Sequence, residues 1–233
     1  MEKKNYKRTL VTCYIGSITQ VMVANFTPLL FMRFHKEFGI PLGQVALIST
    51  VFYTEQILVD VFCAKFVDRI GYRRCVVASQ AASGAGLVML AFLPALLPNR
   101  LAGILISVCV YAVGSGLIEV LVSPIVEACP FENKGSVMSL LHSFYCWGVV
   151  GVVLLSTAFF ALFGIENWRW AACVWAVVPL VNAYNFAVCP IERLTEEGKE
   201  KSLTLRPMTD IDDIQRAQGE TSAAVKMLIL RGS

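Results

Sequence analysis

Six apolar runs, each long enough to cross a bilayer and each separated from the next by a few polar residues, govern what this chain can fold into. A hydrocarbon core of ~30 Å takes ~20 helical residues to span. Such runs recur almost without a break from Thr9 to Cys189, at about Leu10 to Met32, Gln44 to Phe66, Cys75 to Leu97, Leu101 to Ile125, Val137 to Phe163 and Trp170 to Cys189. They predict an all-α membrane protein of six transmembrane helices. Composition agrees, with 56% hydrophobic residues, 16% charged and a mean hydropathy of +0.63, against roughly 25% charged in a soluble domain. The first run is too long for a signal-peptide core and has no small-residue cleavage site after it, so it is expected to serve as its own targeting signal.

Cations give the topology. Counted on alternate sides of the membrane, Lys3, Lys4, Lys7, Arg8, Lys65, Arg69, Arg73, Arg74, Lys134 and every cation after Cys189 share one side. Arg33, Lys36, Arg100 and Arg169 fall on the other. The positive-inside rule makes the first side cytoplasmic and places both termini there, in a plasma membrane. The net charge of +3 carries no sign of a nucleic-acid partner, because the cations flank the spans. Eight cysteines lie singly, without CxxC spacing, and read as apolar filler with no metal or cofactor.

One stretch gathers charge unusually: "AKFVDRIGYRR", Ala64 to Arg74, between the second and third runs. Orientation explains its arginines. It does not explain Asp68, since Asp contributes little to orientation, or Gly71, which suggests a sharp turn with φ > 0. The order Ala64, Asp68, Arg69, Gly71, Arg73, Arg74 resembles the signature loop of the major facilitator superfamily, with Ala64 where that family usually has Gly. The resemblance implies a gating role: a carboxylate at the cytoplasmic end of the second helix faces the N-terminal end of a helix in the other half, with arginines holding it by charge-assisted hydrogen bonds. It also implies a six-helix half built from two inverted three-helix repeats. Gly43, Val45, Phe52 and Tyr53 of the second run match Gly135, Val137, Phe144 and Tyr145 of the fifth, as such repeats require. "GIENWRW", Gly164 to Trp170, resembles the Trp-Arg that often opens the sixth helix, though Trp and Arg also serve as interface anchors. Helix five and the helix-four Glu are similar to the fucose-proton symporter branch. The antiporter motif GxxxGPxxGG is absent from helix five.

Ionisable groups inside a span are costly and so are functional candidates. Glu119 shares a face with Ser115, Gly116 and Ser123, which suits proton coupling or a structural, hydrogen-bonded carboxyl. Glu55 and Asp60 stand roughly 140° apart around the second helix. Glu55, near mid-span, is the preferred cavity and coupling residue, while Asp60, sharing a face with Gln56, suits the interhelix seam. His142 and Tyr145 in the fifth helix, and Gln20 and Asn25 in the first, are candidates to line a cavity for a hydroxyl-rich solute, or to hold helices together. The run "ASQAASGAG", Ala78 to Gly86, predicts close helix packing.

After Ile191 the chain turns polar, and its last apolar residues are too few to span. The expected organisation is a six-helix bundle over 1–190 and a cytoplasmic central-loop linker over 191–233, ending before helix seven. The expected function is secondary transport of a small polar solute such as a sugar, coupled to protons, within a lipid bilayer and together with the missing C-terminal half or a second copy. A non-transporting assembly or sensing protein, or an inactive truncated product, is the alternative. An enzyme is not expected, because Glu119, His142 and Cys146 form no recognised nucleophile or metal spacing.

Overall fold

The structure, a computed structural model, describes residues 6–131 and 133–191, except for the side chains of Ala64 and Asp68. The chain divides into two units, Met1–Arg193 and Leu194–Ser233. All described residues belong to the first, so the linker expected over 191–233 lies, beyond Ile191, outside them.

The described residues form helices α1 (Tyr6–Leu29), α2 (Phe31–Phe38), α3 (Leu42–Ile70), α4 (Tyr72–Leu96), α5 (Arg100–Ala128), α6 (Lys134–Phe163) and α7 (Trp168–Val188), with a 3-10 turn at Ile165–Asn167 and no strand among them. All but α2 are long and apolar enough to cross a membrane. The first run ends early, at Leu29, just after Pro28; the short α2 follows and closes on Gly39 at φ 66. The second run does the opposite. Nothing between Lys65 and Ile70 opposes a helix, so α3 continues through Ala64, Asp68 and Arg69 to Ile70. The expected cytoplasmic turn shrinks to Gly71, whose φ of +97 reverses the chain into α4. Asn99 and Asn133 start α5 and α6 by accepting from the amides of Ala102 at 3.2 Å and Ser136 at 3.1 Å.

Lipid tails are as apolar as leucine, so helices in a bilayer associate through close packing and hydrogen bonds. Here α4 lies between α5 and α7. A Cβ on Gly86 would stand 2.6 Å from the backbone nitrogen of Tyr111, and one on Gly114 would stand 2.5 Å from the carbonyl oxygen of Ser79. The Ser79 hydroxyl donates to the Gly114 carbonyl at 2.8 Å. Asn182 of α7 donates to the Thr12 carbonyl of α1 at 3.1 Å and to Gln80 Oε1 of α4 at 3.3 Å. Two apolar clusters fill the bundle: one around Phe26, Phe34, Tyr111 and Trp168 toward the α2 end, the other around Cys13, Ile118, Ile125 and Phe186 toward Gly71.

The matched Phe-Tyr pairs take matched positions. Phe52 of α3 packs on Tyr111 of α5, with ring centroids 5.8 Å apart; Phe144 of α6 stacks on Tyr14 of α1 at 4.5 Å. The middle span of each three-helix unit thus sends a Phe onto a Tyr of the other unit's first span, the exchange that a pseudo-two-fold relation produces. These middle spans, α3 and α6, are the least buried of the six. Ile57, Leu58, Val61 and Phe62 of α3 and Trp147, Val150 and Leu154 of α6 are exposed among the described residues.

Replacing Gly86 by Val should drive a side chain into the Tyr111 backbone and cost about 1–3 kcal/mol, the usual price of overpacking. A lowered thermal unfolding midpoint in detergent, beside an unchanged midpoint for Gly151→Val, where a Cβ meets nothing within 4 Å, would show it.

Candidate functional site

Helix α5 presents Glu119 on the face turned away from α4. Gly116, one turn earlier, lets α3 come close: a Cβ there would stand 2.9 Å from Val59 Cγ1. That approach brings Gln56 within reach, and its amide donates to Glu119 Oε2 at 2.8 Å and to the Ser115 hydroxyl at 3.4 Å. Gln20 of α1 and Asp60 of α3 are both close enough to act on Glu119 electrostatically. Tyr145 of α6 stands within electrostatic range of Glu119 and of Tyr53. Four helices therefore meet at one carboxylate. Gln20 is buried, whereas Glu119, Asp60, Tyr53 and Tyr145 are exposed on the side left open between α3 and α6. Asp60 has no hydrogen bond or ion pair among the described residues.

Of the acidic residues of the second span, Asp60 is the one beside Glu119. Glu55, the residue preferred from the sequence, lies half-buried on another face of α3, within electrostatic range of Cys109 of α5. The rotation of α3 is decided by its seat against Gly116, and that seat turns Gln56 and Asp60 inward together. Asn25 is satisfied by its own helix, donating to the Val21 carbonyl at 2.8 Å. His142 is exposed on α6, one turn from Tyr145, without a hydrogen bond among the described residues. Among those residues no group of three or more His, Cys, Asp or Glu gathers in a metal-binding arrangement.

At the Gly71 end, Arg73 donates to the carbonyls of Ala187 at 2.6 Å and Phe186 at 3.5 Å. It caps the C-terminus of α7, where unpaired carbonyls and the negative end of the helix dipole favour a cation. Arg8 reaches Asn185 Oδ1 of the same helix at 3.3 Å. Arg69 and Arg74 are exposed; the side chains of Ala64 and Asp68 lie outside the described residues.

Sequence reasoning passed over Glu37. At the α2 end its carboxylate accepts from Arg33 Nε at 2.8 Å, Trp168 Nε1 at 2.9 Å and Arg169 Nη2 at 3.1 Å. The Arg169 guanidinium also lies 5.5 Å from the Trp168 ring centroid, and Trp168 is fully buried. Trp168 and Arg169 of "GIENWRW" are thus the far side of a clamp that ties α2 to the start of α7. The Arg33 and Glu37 spacing of four residues was its one local signal.

The sequence profile of the Major Facilitator Superfamily matches residues 12–226. The chain belongs to the Major Facilitator Superfamily. No curated protein matches it by sequence. Among solved structures it is similar to a peptide transporter, POT, in complex with sulfate, at 18% identity and a TM-score of 0.65, over 96% of this chain and 46% of that one. A mutant of that transporter in complex with alafosfalin matches at 17% identity and 0.65, over 94% and 46%. A POT family transporter in complex with a thioalcohol-conjugated peptide matches at 16% and 0.64, over 96% and 46%. At these identities the likeness is one of fold. The chain spans about half the length of these facilitators, and its six spans are a half of their fold.

Replacing Glu37 by Ala should leave Trp168 Nε1 without its acceptor and both arginines without their carboxylate, lowering stability by about 1–3 kcal/mol. Thermal unfolding in detergent measures the loss, and Glu37→Gln, which keeps one acceptor oxygen, should fall between the two.

Proposed function

We propose that this chain is the first six-helix half of a secondary transporter that moves a small polar solute by alternating access, coupled to protons through Glu119. The supporting observation is the meeting of α1, α3, α5 and α6 at that carboxylate. Its hydrogen-bonding partner Gln56 and the nearby Gln20 are neutral, so a proton can come and go without breaking an ion pair. Asp60 places a second carboxylate near it. The phenols of Tyr53 and Tyr145 and the amide of Gln20 suit a hydroxyl-bearing solute such as a sugar. Transport rather than bond chemistry is the role such a site supports.

On this reading the bundle occupies residues 1–190 and a central-loop segment 191–233. The Gly71 end faces the cytoplasm across a plasma membrane, and Asp68 with its arginines serves as a gate. The uncovered faces of α3 and α6 receive the second half, or a second copy of this chain, because a solute carried by alternating access must be enclosed between two bodies that rock.

In proteoliposomes containing the chain and its completing half, an imposed pH gradient should drive solute accumulation. Glu119→Gln should abolish accumulation against a gradient while leaving downhill exchange. Uptake indifferent to both the pH gradient and this substitution would sink the coupling claim, and absence of any flux would sink the transport claim.

A further inference from the structure

A cavity of about 350 Å³ opens at the α2 end, lined by Glu37, Phe38, Ala95, Arg100 and Arg169. It lies where the end of α2, the end of α4 and the starts of α5 and α7 meet. Its two guanidiniums come from different helices and are each anchored through one nitrogen. Arg100 Nη1 donates to the carbonyls of Pro94 at 2.7 Å, Ala95 at 2.6 Å and Leu97 at 3.3 Å. Arg169 Nη2 donates to Glu37 Oε1 at 3.1 Å. Each therefore keeps its Nε and other Nη donors uncommitted among the described residues while its position is held. Pre-positioned forks with spare donors are the arrangement that recognises a tetrahedral oxyanion in two-point fashion.

Glu37 does not oppose an anion there as a bare charge, because Arg33, Trp168 and Arg169 already donate to it. The other charged group nearby, Glu166, lies 3.6 Å from Arg33 Nη1. Arg33, Arg100 and Arg169 against Glu37 and Glu166 leave one positive charge in surplus. Phe38 and Ala95 add an apolar wall, and Leu96 and Trp170, at the neighbouring helix ends, are 75% and 70% exposed, as groups facing lipid would be.

We propose that this cavity binds a phosphate group, supplied either by a phospholipid headgroup at that membrane face or by a free phosphate. The site is separate from Glu119, and its occupation does not depend on the transport reading.

The test uses the purified full chain with two probes: inorganic phosphate, read by the shift it causes in the thermal unfolding midpoint, and phosphatidylglycerol retained from mixed micelles, read by native mass spectrometry. Arg100→Gln removes one fork. Ala95→Glu places a carboxylate in the cavity and leaves both arginines in place, which covers the case in which Arg100→Gln fails to fold. Each should weaken probe binding by about tenfold or more, as expected for a lost charge-assisted contact. Retention of phosphatidylglycerol without a phosphate response identifies a lipid headgroup, and a phosphate response without lipid retention identifies a soluble ion; both support the site. Failure of both probes to bind, or equal binding by wild type and Ala95→Glu, would overturn it.

Discussion

The seat of α4 against α5 and α7 is the contact on which the arrangement of the other spans depends. In a bilayer no hydrophobic force draws helices together, so backbones associate where side chains are small enough to let them touch. Gly86 and Gly114 bring α4 and α5 to backbone contact, and the Ser79 bond to the Gly114 carbonyl locks their register. That contact uses one face of α5. Glu119, five residues beyond Gly114, points roughly 140° away from it, toward α1, α3 and α6. The polar centre is therefore a geometric consequence of where the small residues lie. A bulkier residue at Gly114 would turn α5 and misdirect Glu119 without touching it.

Charge is treated differently along the membrane axis. At the α2 end, Glu37 is met by two arginines and an indole; at the Gly71 end, Arg73 and Arg8 settle on the C-terminal turn of α7. Both sets tie α7 to the first three-helix unit, the upper through α2 and the lower through α1 and α4. Ionic contacts near the aqueous boundary cost little desolvation and can hold two helix ends in place. In the middle, Glu119 is held by the amide of Gln56. A group there can change protonation with small structural cost, because a neutral donor loses far less than a paired cation when the charge disappears.

Most of the fold was legible because membrane length and backbone saturation leave few alternatives for six long apolar runs. Gly71 was legible because a reversal within one residue calls for positive φ, and the Phe-Tyr match because it reappears as matched contacts. What could not be read is what depends on helix rotation and on distant partners. Whether Glu55 or Asp60 accompanies Glu119 is decided by the packing of Val59 on Gly116, a contact between residues far apart in sequence. Glu37 looks like half of an ordinary surface pair with Arg33 until α7 brings Trp168 and Arg169 to it. Arg73 belongs to a motif that points to a carboxylate, yet it donates to the main-chain carbonyls of Ala187 and Phe186, which no side-chain pattern reveals.

Rigidity within the six-helix body and openness along one side belong together. A body that rocks against another transmits motion only if its own helices keep their relative positions. Here α1, α4, α5 and α7 are joined by backbone contacts, by the buried Asn182 bonds to Thr12 and Gln80, and by clamps at both ends. By contrast, α3 and α6 are held mainly along one face each and leave the other uncovered. Those two helices border the side on which Glu119, Asp60, Tyr53 and Tyr145 are exposed. Covering that side would remove water from the carboxylates and strengthen every interaction among them. Uncovering it would restore their hydration. The same apolar stripes that would seat a second body thus border the polar centre, so covering them would also change how wet that centre is.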